Sequence, residues 1–309
     1  MTSRHFVVLL LGTVLLAGCG GAPSPSPSDG RITVVTTTTV LADMVRNVAG
    51  VRATVHALVP AGTDVHTFDP APSDAIKVSG ASLLVLNGLG LDDWLGEFAR
   101  QAGAADTPLL ELAEDLPGVT YLEGGEQSAA GEVGDAHADN PHLWLNVGYA
   151  RLYVARLAEQ LAAVDPSAAA DYQANAAAFD ARLAELDTWV RDQFAILPAA
   201  QRRIVSFHDA FPYFAAAYGL EVVGVLVEVP GQEPSAAQVA ALVNAIRQAE
   251  VRVVLAESQF SDALAQTVAQ EASAQVISQL YTDSLGDPPA DSYEGAMRWN
   301  VEQIVAGLR

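Results

Sequence analysis

Three histidines and one aspartate stand where a side chain can act on something beyond its own element. His66 lies in the proline-rich segment Pro60 to Pro72 (PAGTDVHTFDPAP), and His142 in Asn140-Pro141-His142-Leu143-Trp144-Leu145-Asn146. His208 directly follows the β-rich run Arg203 to Phe207, and Asp283 comes just after Gln275 to Leu280. Neutral imidazole and carboxylate are ligands for divalent transition metals, and the same groups can move protons. Prolines restrict the backbone, so a proline-rich loop can hold one imidazole in a fixed direction. Each residue also has an ordinary use. His66 also reads as a surface loop side chain, and His142 as a satisfied core histidine between Pro141 and bulky apolar neighbours. Glu257, which follows another apolar run, also reads as a support for a neighbouring group or as the start of a helix.

What these positions share is the kind of element before them. Arg31 to Thr37, Ala53 to Val59 and Leu83 to Leu86 are β-rich, with helical stretches at Leu41 to Val48, Ser73 to Val78 and Asp92 to Ala102. The alternation returns in the second half. Strands are predicted at Arg203 to Phe207, Glu221 to Val227, Val251 to Ala256 and Gln275 to Leu280. Helices fall at Ala210 to Tyr218, Ser235 to Ala249, Asp262 to Ala272 and from about Ser292 to Leu308. Such alternation implies an α/β fold with mainly parallel sheets and flanking helices, in which ligands bind beyond the carboxyl ends of the strands. His66, His208, Glu257 and Asp283 belong at such ends.

Between the halves runs the longest helical pattern, Asp165 to Leu197. Asp165 can cap its first free amides, Pro166 suits its first turn, Pro198 stops it, and Tyr172, Ala176, Phe179, Leu183, Leu186 and Val190 form one apolar stripe. The helix could pair with Ala150 to Val164 as a hairpin inside one domain, or run as a rigid link along two lobes. An α/β unit on each side favours the link. The expected organisation is an N-terminal lobe at 31–164, a linking helix at 165–197 and a C-terminal lobe at 198–309, with the polar strand ends facing an inter-lobe cleft.

Composition narrows the partners. The chain has 37 acids against 16 bases and a formal charge of −21, and Lys77 is its only lysine, so no basic stripe exists to neutralise a phosphate backbone. Nucleic acid is excluded as a partner on that ground. Gly88-Leu89-Gly90 starts like a dinucleotide fingerprint but has Asp93 where the third glycine belongs, and reads as a turn. The acidic, glycine-rich stretch 123–139 reads as a surface loop, in which His137 and Asp139 could serve auxiliary metal capture. At the start, Arg4 and His5 precede the apolar run Phe6 to Ala17, the length of a secretory signal and too short to span a bilayer. Leu16-Ala17-Gly18-Cys19 resembles the bacterial lipoprotein cleavage box, which makes Cys19, the only cysteine, the expected lipidation site. Residues 1–18 are then a signal peptide and 19–30 an extended tether. The body is expected outside the cytoplasmic membrane, monomeric and held by lipid.

Taken together, the motifs resemble the zinc- and manganese-binding solute receptors of bacterial ABC importers, over about Ile32 to Leu308. The resemblance is carried by Gly62-x-Asp64-x-His66-x-Phe68-x-Pro70-x-Pro72, by Asn87-Gly-Leu-Gly-Leu with Trp94, and by Pro141-His142-Leu-Trp144-Leu. It continues in Asp165-Pro166 with Tyr172, Asn175 and Leu186-Asp187, in Phe207-His208-Asp209-Ala210-Phe211 with Tyr218-Gly219-Leu220, and in Tyr281-Thr-Asp283-Ser-Leu. It implies that His66, His142, His208 and Asp283 are the metal ligands, and that the cargo is delivered to a membrane permease with a cytoplasmic ATPase. Two departures bear on the metal. Asn140 stands where the family usually has Asp, and Asn146-Val147 where it usually has Asp-Pro.

A set of three imidazoles and one carboxylate suits Zn2+, while Mn2+, which prefers more oxygen, or iron remains the alternative. Four protein ligands close a tetrahedral ion to substrate water, so the expected activity is carriage and not catalysis. The rival classes are an exported zinc hydrolase, which would need an open coordination position and a base and lacks a His-Glu-x-x-His motif, and a surface adhesin with an incidental metal.

Overall fold

A computed structural model describes residues 30–124, 139–228 and 231–309. The expected signal peptide, Cys19 and His137 lie outside the described residues, as does the tether apart from Gly30. No helix among the described residues is long and apolar enough to cross a membrane.

Residues Arg31–Arg309 form one compact unit built on two sheets. The first joins β1 (Ile32–Thr36), β2 (Ala53–Ala57), β3 (Leu83–Leu86) and β4 (Leu109–Glu111), and the second joins β5 (Arg203–Ser206), β6 (Glu221–Val225), β7 (Val253–Glu257) and β8 (Gln275–Leu280). Every pairing is parallel, and the orders β2-β1-β3-β4 and β6-β5-β7-β8 are the same pattern repeated. In each the order reverses beside the first strand, between β1 and β3 or between β5 and β7, which opens a crevice at the carboxyl edge. β4 was not legible in the sequence. It has three residues, mostly exposed, too few for a period to show.

Nine α-helices among the described residues cover the sheets: α1 (Thr39–Ala49), α2 (Pro72–Ser79), α3 (Trp94–Gln101), α4 (Val147–Val164), α5 (Ala169–Ala195), α6 (Pro212–Tyr218), α7 (Ala236–Gln248), α8 (Ala263–Ala272) and α9 (Tyr293–Leu308). Their ends follow local chemistry. The Thr38 hydroxyl accepts from Leu41 N–H at the start of α1, Ser235 and Gln238 form a reciprocal capping box on α7, and left-handed Gly219 ends α6.

The long helix starts later than the sequence suggests. Pro166–Ala168 form a 3-10 turn, and α5 then runs for 27 residues, ~40 Å at 1.5 Å per residue. Asp165 does not cap it. Its carboxylate instead accepts from the Ser167 hydroxyl at 2.6 Å and the Tyr172 hydroxyl at 3.0 Å. The predicted apolar stripe is buried along its whole length. α5 packs along α4 and also against α1 from the first half and α6 and α9 from the second. Both readings of the helix are therefore realised, since it is one arm of a hairpin and also a link between lobes.

The lobes also meet directly around the cleft. Trp144 Nε1 donates to the Thr282 carbonyl at 2.9 Å, the Tyr293 hydroxyl to the Trp144 carbonyl at 2.6 Å, Gly62 N–H to Ser284 Oγ at 2.8 Å, and Leu285 N–H to Thr39 Oγ1 at 2.8 Å. These bonds tie the segments around His66 and His142 to the segment around Asp283.

Candidate metal centre

The loop after β2 carries His66. Asp64 accepts from the His66 N–H at 3.0 Å and the Thr67 hydroxyl at 2.8 Å, a local turn that stiffens the loop beside fully buried Val65. His142 precedes a short 3-10 turn, Leu143–Leu145, whose apolar side chains are buried. Below it, Asn87 at the end of β3 donates to the Pro141 carbonyl at 3.0 Å and accepts from the Tyr153 hydroxyl at 2.7 Å. Asn87 is itself held by buried Asp92, which accepts from the Asn87 N–H at 2.8 Å, the Gly88 N–H at 2.9 Å and the Thr37 hydroxyl at 2.6 Å. His208 emerges two residues after β5, Glu257 ends β7, and Asp283 follows β8.

These elements bring His66, His142, His208 and Asp283 together, with one ligand-type atom from each lying within 4.8 Å of all the others. His142 Nε2 and His208 Nε2 are 3.3 Å apart. Asp283 Oδ2 is 3.4 Å from His208 Nε2 and 3.8 Å from His66 Nε2, and Oδ1 is 3.5 Å from His142 Nε2. A tetrahedral zinc ion with bonds of about 2.0–2.1 Å sets its donor atoms ~3.3 Å apart, so these separations suit one small cation with modest side-chain adjustment. The side chains of His142, His208 and Asp283 are wholly buried, and that of His66 is 9 % exposed, so His66 stands on the solvent side.

Burial and mutual repulsion set the charges. Burial holds His142 well below the usual imidazole range, aided by the other two rings and opposed by Asp283, and burial likewise lowers His66 against the pull of Asp283. His208 goes the other way. Burial would lower it, but Glu257 at 3.0 Å from Nδ1 and Asp283 beside Nε2 outweigh that and raise it well above its ordinary value. Burial also works to raise Asp283, and is overcome by the facing His208, His142 and His66, so its carboxyl is held below the usual carboxylate range. Burial thus favours the neutral rings of His142 and His66, while the two carboxylates favour the charged form of His208.

Glu257 does not join the four. It faces the Nδ1 side of His208, away from the converging Nε2 atoms, where a carboxylate orients the ring and strengthens Nε2 as a donor. Asp139 is also apart from the cluster, its main chain bridging to Glu123. Three supports were not expected as site residues. Gln259 Nε2 donates to Asp283 Oδ2 and Thr282 Oγ1, both at 2.9 Å, Phe260 packs edge-on to His208 with centroids 5.2 Å apart, and Asn140 contacts both lobes. Only Asn140 stood out in the sequence, as a departure from the family pattern.

Comparisons with known proteins agree in kind. A family profile described as "Zinc-uptake complex component A periplasmic" (ZnuA) matches residues 34–307. The chain is 34% identical over 309 residues to the manganese ABC transporter substrate-binding lipoprotein PsaA of Streptococcus pneumoniae, covering 98% of this chain and 96% of that one. It is 31% identical over 306 residues to the manganese-binding lipoprotein MntA of Halalkalibacterium halodurans, covering 98% and 97%. Among solved structures, the periplasmic zinc binding protein TroA from Treponema pallidum superposes with a TM-score of 0.80 at 27% identity, covering 90% of this chain and 99% of that one.

Proposed function

The chain belongs to the ZnuA family of periplasmic metal-binding proteins, the substrate-binding components of metal ABC transporters, and we infer from this that its cargo is a zinc ion held by His66, His142, His208 and Asp283. The family is a transport component and not an enzyme. The observation that supports the site is the convergence, within 4.8 Å, of four ligand-type atoms drawn from two lobes. Three imidazoles and one carboxylate at near-tetrahedral spacing favour zinc, and affinity order favours zinc over manganese at any such site. Glu257 supports carriage by holding Nδ1 of His208 through Oε1 at 3.0 Å, on the side of the ring away from the converging Nε2 atoms.

Manganese is the second reading, on a specific observation. Both oxygens of Asp283 face imidazoles, and among the described residues Oδ1 has no hydrogen-bond partner, so the carboxylate can bind through both and widen the shell. The names of PsaA and MntA point the same way. Zinc outcompetes manganese in most protein sites, so binding competition alone does not identify the cargo. The test is uptake of radioactive zinc and manganese by cells lacking the protein. Zinc uptake is expected to fall and to return with the wild-type gene; a fall confined to manganese replaces zinc by manganese, and no change in either removes the transport role.

The remaining organisation follows from the same reading. Residues 1–18 direct export, Cys19 carries lipid, 19–30 tether the body, and the lobes at 31–164 and 198–309, linked by 165–197, present the cargo as a monomer to a permease driven by a cytoplasmic ATPase. The lipoprotein names of the relatives support the anchor.

A further inference from the structure

We propose that Asn140 is a positioning residue that fixes the metal-binding tautomer of His142 and, through the other end of the same amide, latches that histidine to the opposite lobe. The side chain is fully buried. Two main-chain groups set its orientation, and their roles cannot be exchanged. The His142 N–H, a donor, meets Oδ1 at 3.1 Å, and the Asp209 carbonyl, an acceptor, meets Nδ2 at 2.6 Å. Oδ1 is therefore the oxygen, and it also lies 3.1 Å from His142 Nδ1. A neutral imidazole has one N–H. Facing an acceptor, Nδ1 carries it, which leaves a lone pair on Nε2, the atom turned towards His208 Nε2 and Asp283 Oδ1. The opposite tautomer would set two acceptors against each other at Asn140 and point a proton at the site.

The second half of the amide faces the other lobe. Nδ2 donates to the Asp209 carbonyl and lies 3.2 Å from Asp209 Oδ2, and Asp209 is the residue after His208. One side chain thus joins the supports of two rings that come from separate lobes. Only an amide does this, because it offers an acceptor to His142 and a donor to Asp209 at once. A carboxylate of the same shape keeps the first contact and turns the second into oxygen against oxygen. The inference rests on the reading of His142 as a metal ligand and adds what prepares it.

Two readings separate the halves. Nitrogen-15 spectra of the histidine rings in metal-free protein report which nitrogen of His142 bears hydrogen, and chelator competition reports zinc affinity and release. Wild type is expected to show Nδ1–H only. Asn140→Ala should mix the tautomers and weaken zinc binding about tenfold or more, the usual cost of removing an outer support. Asn140→Asp should keep the Nδ1–H tautomer yet release zinc about tenfold faster. An Nε2–H tautomer in wild type, or a single unchanged tautomer in Asn140→Ala, overturns the first half; wild-type release from Asn140→Asp overturns the latch. If wild type shows Nδ1–H but takes up neither zinc nor manganese, the metal reading fails while the tautomer assignment survives, so the two failures are distinct.

Discussion

Glu257→Gln should change the number of protons released when metal enters. The groups facing His208 are Glu257 from the end of β7, Asp283 after β8, and the rings of His142 and His66 from the first lobe. With both carboxylates present, His208 is raised well above the ordinary imidazole value, while His66 and His142 are lowered, so His208 is the ring whose proton an entering metal has to displace. Metal can bind Nε2 only after that proton leaves. Displacing it costs ~1.4 kcal/mol for each pH unit below the folded value, so apparent affinity should fall about tenfold per unit as pH drops below it.

Glutamine keeps an oxygen able to accept from Nδ1–H but removes the charge, which leaves Asp283 alone to oppose burial and so lowers His208 relative to wild type. Two effects then oppose each other. At high pH, where no proton competes, the weaker support should cut zinc affinity by about 10–100-fold. As pH falls, wild type loses affinity first and the two curves approach. Calorimetry in buffers of different ionisation enthalpy counts the protons directly: more protons per zinc are expected from wild type near pH 7 than from the variant. Equal release from both, or none from wild type, would refute the assignment of the proton to His208.

His142→Ala should weaken zinc binding by more than the roughly 10–100-fold of an outer-support change, because it deletes a donor itself. Calorimetric titration reads the loss, and a melting curve close to that of metal-free wild type is expected with it; collapse of the fold instead would make His142 a core group. For Asp92, burial raises its carboxyl to about 6 despite bonds from Asn87, Thr37 and Gly88. A raised folded value means stability is present at low pH and lost as pH rises, so the unfolding free energy of wild type minus that of Asp92→Asn should fall by ~2 kcal/mol between about pH 4 and 6. Denaturant titrations at the two pH values measure it, and a difference that grows with pH would contradict the raised value.

The sequence made the scaffold legible because its signals are repeated. Seven of the eight strands announced themselves through β-rich runs between helical stretches, and each strand end then marked a place where a ligand could sit. The ligand set itself came from motif resemblance, since 3.6-residue and 2-residue periods say nothing about which strand ends will face each other. What stayed hidden depends on contacts across long separations. Asp165 looks like a helix cap until Tyr172 and Ser167 are seen to take its oxygens. Asp92 looks like a helix start until its carboxylate is found under Asn87. Gln259 gives no signal at all, for its role exists only once β7 and β8 lie side by side.

The two lobes contribute unequal charges to one site, and that asymmetry explains how a site so buried can fill. The first lobe supplies two imidazoles lowered by burial, ready as neutral donors, backed by an amide and by main chain. The second supplies Asp283 and a His208 braced by Glu257, so negative charge is concentrated on that side. A dication entering past His66, the most exposed of the four, meets neutral nitrogen first and carboxylate behind it. On the proposed reading, two carboxylates close to one dication would leave it no excess charge, with Asp283 ligating and Glu257 acting through the His208 ring. That balance lets a metal rest in a buried place without counter-ions or bound hydroxide. A hydrolase would need the opposite arrangement, a vacant position on the metal and a free base beside it. On the proposed reading Asp283 holds the ion and Glu257 orients His208 through Oε1, so the charges that draw the ion in serve to carry it.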